Sequence, residues 1–192
     1  MGFFDELPAA EPEPPRRHHH PWEPPEADFP GIVAIDTMPL ARSGHVAVAV
    51  TGMSAHANGF EIFLTARMRP DGGRAEEGPP GRQAVRSFRF GLQFADGSKA
   101  ISRHAAGPHA MGPGLSADSE PDGPVLRPFM AGGGPRTHFS RWWAWPLPPA
   151  GPIGFVCEWP VFGIPETRTT LDAQLILDAA GRSTQLWPED GD

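Results

Sequence analysis

Proline and glycine interrupt this chain so often that a long helix has no room to form. The 25 Pro and 23 Gly make up a quarter of the 192 residues, and neither sits comfortably inside a helix or a central strand. A helical bundle is excluded, which leaves short strands joined by turns. The 12 Phe, the 6 Trp and a hydrophobic fraction of 39% are enough for one core, and the length suits a single domain with attached flexible segments.

From Gly31 onward the pattern is that of strands. In Phe60-Glu61-Ile62-Phe63-Leu64-Thr65-Ala66-Arg67-Met68 the even positions are apolar and the odd ones mostly polar, the period of a strand buried on one face. Val46-Ala47-Val48-Ala49-Val50 is a second β-branched run, and Asn58-Gly59 between the two is a strong hairpin signal. A two-residue turn there pairs Ala57 with Phe60 and so sets Val48 and Val50 against Arg69 and Arg67, on the wrong face. One extra residue, a bulge near Thr51 or Gly52, restores the match. Phe88, Phe90, Leu92 and Phe94 alternate in a third buried strand, and Asp96-Gly97 turns it into the short partner Lys99-Ala100-Ile101.

Four of the six Trp fall in RWWAWPLPPAGPIGFVCEWP. Read as a hairpin around Pro148–Pro152, this block sets Trp145 opposite Phe155, Trp143 opposite Cys157 and Arg141 opposite Trp159, with Trp142 on the other face beside Glu158. Either all four Trp are core, or Trp142 is exposed and marks a contact surface. Further on, Leu171, Ala173, Leu175 and Leu177 alternate, yet Asp172 is placed to cap a helix and Gly181 to stop one. The reading is a strand that enters a short helix ending near Gly181.

The charge is uneven. Residues 1–29 hold seven acids and two arginines, leaving 16 acids and 14 bases for the remainder of a chain of net charge −7. Composition therefore predicts a disordered, acidic, Pro- and His-rich tail over 1–29, a single domain over 30–188, and flexible loops at 71–84 and 104–124. Within the tail, Trp22 in PWEPP is the aromatic handle, set either to dock on its own domain or to recruit a partner. A nearly neutral domain argues against nucleic-acid binding by phosphate neutralisation. No apolar stretch reaches membrane-span length and residues 1–20 lack a secretory pattern, so neither membrane nor export is expected. The lone Cys157 excludes an internal disulfide and fits a reducing cytoplasm.

The run WWAWPLPPAGPIGFVCEWPVFGIPETRTTLDAQLILDAAGRSTQLWPED, with the acidic Pro/His-rich tail, resembles a family of uncharacterised actinobacterial proteins. The resemblance covers the last third and the tail, and it implies no activity. The strand order is also similar to that of immunoglobulin-like sandwiches, a likeness of fold that says nothing about a site.

Motifs of known chemistry are few. There is no G-x-S-x-G elbow, and Ser54 with His56 two residues on reads as turn chemistry. Cys157 lies on an apolar face, where a thiol is inert. Gly132-Gly133-Gly134 lacks the Lys-Ser/Thr of a phosphate loop. Among Glu158, Glu166, Asp172 and Asp178 no spacing defines an acid–base pair. His18, His19 and His20 form a nonselective triplet, and His104, His109 and His138 bind a metal only if folding brings them together.

The expectation is thus an all-β protein, an antiparallel sandwich of roughly seven or eight strands. It is expected to act as a noncatalytic binding or scaffold module for an unknown protein partner, without cofactor. Trp22, Arg141, Trp142 and Glu158 are the candidate contact residues. The alternative is a small-molecule or metal-dependent enzyme using histidines of the 104–138 region.

Overall fold

The computed structural model describes residues 20–70, 87–102 and 121–187. Among them the chain forms β1 (Asp28–Phe29), β2 (Gly31–Ile32), β3 (Met38–Arg42), β4 (Val46–Ala55), β5 (Phe60–Met68), β6 (Arg89–Gln93) and β7 (Lys99–Ile101). It continues through β8 (Val125–Gly134), β9 (Thr137–Trp145), β10 (Pro152–Trp159), β11 (Ile164–Asp172), the helix α1 (Gln174–Ala180) and β12 (Thr184–Gln185). One sheet has six strands in the order β2-β4-β5-β9-β8, with β3 also on β4, and a second has the order β11-β10-β6-β7. Every pairing is antiparallel. The described residues form an all-β antiparallel sandwich with one short α-helix and a 3-10 turn at Pro160–Phe162.

The core lies between the two sheets. Val48, Val50, Ile62, Leu64 and Trp142 come from the six-stranded sheet, and Phe90, Leu92, Phe155 and Cys157 from the four-stranded one. Phe90 meets Trp142 edge-on across the gap, with ring centroids 5.3 Å apart, and Phe88 meets Trp159 at 5.1 Å. Full burial of such side chains contributes about 1.5–3 kcal/mol each, which explains why the alternation in β5 and β6 dictates their register.

The β4–β5 register slips between Val50 and Gly52, so Thr51 is the extra residue. The bulge returns Met53 and Ala55 to the buried face already occupied by Val46, Val48 and Val50. The connection itself is longer than a two-residue Asn-Gly turn: Ala55 pairs with Phe60, and the His56 N–H bonds the Gly59 carbonyl at 2.8 Å. Gly59 serves close approach here. A Cβ on it would lie 2.5 Å from the Ala144 carbonyl oxygen and 2.6 Å from the Trp143 ring.

The expected Trp hairpin is not formed. β9 pairs with β5 and β8, whereas β10 pairs with β6 and β11 in the other sheet. The chain changes sheets after Trp145, through a cis Trp145–Pro146 bond and a Pro-rich connection. The faces are reversed as well. Trp142, opposite Ile62, points into the core and is 3% exposed, its indole N–H bonded to Ser140 Oγ at 2.8 Å. It cannot be a surface anchor. Both edges of β9 are taken, by β5 and by β8, and both edges of β10 by β6 and β11, which leaves neither strand an edge for the other.

Ordered structure begins ahead of the boundary expected at residue 29. β1 pairs with β12, β2 pairs with the end of β4, and residues 20–23 lie on the six-stranded sheet. The strand β11 runs into α1 as expected, with the Asp172 carboxylate accepting the Gln174 N–H at 3.0 Å. The helix rests on β2, so closely that a Cβ on Gly31 would lie 1.9 Å from the Ala179 carbonyl oxygen. Residues 1–19, the loop expected at 71–84 and most of that at 104–124 lie outside the described residues.

Candidate functional site

The outer face of the six-stranded sheet carries the odd-numbered residues of β5 and β9. Register aligns Ser54, Glu61, Trp143 and Arg127 in one row across β4, β5, β9 and β8. The next row holds Gly52, Phe63, Arg141 and Met130. These two rows differ in what covers them.

Trp143 is fully buried although it stands on the outer face. Its cover is the chain's own amino-terminal segment. The Trp143 indole N–H donates to the Trp22 carbonyl at 2.8 Å, and the Asn58 amide donates to the carbonyls of Pro21 at 2.7 Å and Glu23 at 2.9 Å. Arg127 reaches the Glu23 carboxylate at 3.6 Å. The segment folds back on itself, with the Glu23 N–H on the His20 carbonyl and the His20 ring stacked on Trp22 at 4.6 Å. Beneath it His56 is buried and meets Trp143 edge-on at 5.8 Å. Burial pushes the His56 imidazole below its ordinary value of 6.5, and the charges of Glu61 and Asp28 oppose that shift.

Arg141 joins the two rows. Its guanidinium bonds the buried Glu61 carboxylate at 2.6 Å, and that carboxylate also accepts from Ser54 Oγ at 3.1 Å. The same guanidinium lies over the rings of Phe63 at 4.8 Å and Phe129 at 5.1 Å. Around it Phe129, Met130 and Phe139 are 43%, 47% and 44% exposed. Phe129 stands at the slip in register between Pro128 and Met130 that re-aims β8, which among the described residues is an edge strand and so accommodates Pro128. Phe139 lies over Gly132, where a Cβ would be 2.7 Å from the ring. An aromatic and methionine patch thus surrounds one fixed cation. Phe29, Ile32 and Trp187 are more exposed still, but among the described residues no register or ring contact joins them into one surface.

Of the residues expected to form a site, the structure brings Trp22 and Arg141 to this face and removes the others. Glu158 lies on the second sheet, paired with Arg89 directly across the ladder at 2.6 Å, with Arg89 largely exposed. Such a pair contributes little. Trp142 is core. His138 faces inward opposite Ala66, half-buried, its imidazole lowered by burial, and His104 and His109 lie outside the described residues. Among the described residues no three His, Cys, Asp or Glu side chains are grouped to hold a metal. Cys157 is buried, its thiol pushed up by burial against the smaller pull of Thr167 Oγ1 at 3.2 Å.

Sequence reasoning missed Asn58, Glu61, Phe63, Phe129, Met130 and Phe139. One signal was present. Phe63 interrupts the polar odd face of β5, and an apolar residue on a face otherwise meant for water calls for an explanation. Comparison with family profiles, with curated proteins and with solved structures finds no match. Among the described residues no helix is long and apolar enough to cross a membrane.

Proposed function

We propose that the protein is a noncatalytic binding module that engages a protein partner through the outer face of its six-stranded sheet. The observation that carries this reading is the arrangement around Arg141, where Phe129, Met130 and Phe139 stand exposed together and the guanidinium is held by Glu61, Phe63 and Phe129. Aromatic residues, Met and Arg are the types enriched at the centres of interfaces. A pre-positioned Arg also loses less side-chain entropy when a partner covers it. The lone buried Cys157 is compatible with a reducing compartment such as the cytoplasm.

The test is quantitative affinity purification from native cells with the full chain. A protein that copurifies with the wild type should be lost on Phe139→Asp and retained on Arg89→Ala, with both variants melting within a few degrees of the wild type. Equal recovery with Phe139→Asp, or loss with Arg89→Ala alone, contradicts the reading.

A further inference from the structure

The row under residues 20–23 has the chemistry of a peptide receptor whose ligand is already in place. The sheet offers donors: the Trp143 indole N–H, the two hydrogens of the Asn58 amide and the Arg127 guanidinium. The segment offers acceptors, namely three consecutive backbone carbonyls and the Glu23 carboxylate. Pro21 lacks an N–H, and the segment continues into Pro24-Pro25, so its backbone brings few donors that burial would orphan. Recognition of free carbonyls by an indole N–H and a side-chain amide suits proline-rich segments in general, because it reads the backbone and leaves side chains as a second level of choice. The second level here is an acid, read by Arg127, after an aromatic residue, Trp22, that is only half-buried.

The fit in cis is incomplete. Among the described residues Asn58 Oδ1 and His56 Nδ1 are both buried without a hydrogen-bond partner, and buried polar atoms are ordinarily satisfied. A ligand that places one backbone or side-chain donor there satisfies an atom that residues 20–23 leave bare.

We propose that this row is a docking site for an acidic, proline-rich segment of a partner protein, carrying an aromatic residue before its acid, and that residues 20–25 occupy the site in cis and mask it. The occupant is fixed by the mimic: Pro21-Trp22-Glu23-Pro24-Pro25 shows which carbonyls are read and where the charge is read. The site lies in the row next to the Phe129–Phe139 patch, and its test uses only the isolated chain and a peptide. Attachment in cis gives residues 20–25 a high effective concentration, so a free peptide competes poorly until the segment is weakened.

The experiment titrates a fluorescent peptide of residues 20–27, HPWEPPEA, against the full chain by anisotropy. The double variant Trp22→Ala/Glu23→Ala should bind it at least tenfold more tightly than the wild type does. Adding Asn58→Ala or Arg127→Glu to that background should weaken binding at least tenfold, and Arg89→Ala should not change it. The peptide HPWKPPEA, with the acid reversed, should lose most of its affinity. No binding to the folded double variant, or equal binding to the wild type, overturns the proposal. Doubling of the double variant's mass in ultracentrifugation also overturns it, in favour of a second copy as occupant. If the double variant does not fold, a spin-labelled peptide at high concentration should broaden the Trp143 indole N–H resonance of the wild type, and no broadening overturns the proposal equally.

Discussion

The indole N–H of Trp143 and the carbonyl of Trp22, 121 residues apart, are joined by a hydrogen bond of 2.8 Å. That bond accounts for an apparent contradiction, a large aromatic on the outer face of a sheet with no exposed surface. Trp142, the adjacent residue, is buried for a different reason, since it packs against Phe90 inside the sandwich. Substitutions of the two should differ in kind. Trp142→Ala should lower stability by about 3–5 kcal/mol by opening a core cavity. Trp143→Phe keeps an aromatic ring but removes the indole donor and some buried volume, and should lower it by less, about 1–3 kcal/mol, while speeding hydrogen exchange at the Glu23 amide. Denaturant melts and exchange rates check both. Equal losses for the two would show that Trp143 is held by the core and not by residues 20–23.

Deletion of Thr51 removes the residue that lets β4 match β5. Val46, Val48 and Val50 would then face solvent wherever Met53 and Ala55 stayed buried, so the variant should fail to fold cooperatively. Circular dichroism on heating reads the outcome. A cooperative melt near the wild-type Tm would mean that the sheet absorbs the register shift elsewhere.

The bulge was legible in the sequence because the alternation of β4 and β5 is strong and parity alone demanded an odd residue. The third buried strand, the Asp96-Gly97 turn and the helix ending at Gly181 were legible for similar local reasons, with Gly97 at φ +85° and the Gly181 N–H on the Leu177 carbonyl. The partner of β9 was not. Both edges of a strand offer the same donors and acceptors, and a Pro-rich connection of several residues looks equally like a hairpin loop or a crossing between sheets. Setting β9 against β10 reverses its faces, which turns Trp142 outward and Phe139 inward; of the two alternatives left open for Trp142, core or surface, the structure shows the core. Docking of Trp22 could be anticipated as an aromatic seeking cover, but its receptor depends on Asn58, whose local signal spoke only of a turn.

Gly59→Ala tests the close approach at the end of the β4–β5 connection. The added methyl meets the Ala144 carbonyl and the Trp143 ring, and backbone on a central strand has little freedom to yield. A loss of about 1–3 kcal/mol is expected, measured by denaturant unfolding. Gly44→Ala, where a Cβ meets nothing within 4 Å, serves as the control. Equal stability of both variants with the wild type would show that this corner is loosely packed.

Stability should fall on acidification through the histidines. Burial holds His56 and His138 below the ordinary 6.5 in the folded protein, so the unfolded chain takes up protons first as pH falls. Their contribution is complete well above 6.5, declines as pH falls through that value, and levels off below the folded-state values. His56→Gln and His138→Gln should each flatten part of the dependence of Tm on pH between about 7.5 and 5. An unchanged slope in both variants would assign the acid sensitivity to other groups.

The most direct test of the proposed contact surface is photocrosslinking in native cells, with a photoreactive residue placed at Phe139 and, as control, at the exposed Thr170 of the second sheet. A discrete protein adduct from position 139, absent from position 170 and abolished by Phe129→Asp, is the predicted result. Adducts of equal yield from both positions, or an adduct from position 170 alone, would contradict the assignment of partner binding to the six-stranded sheet.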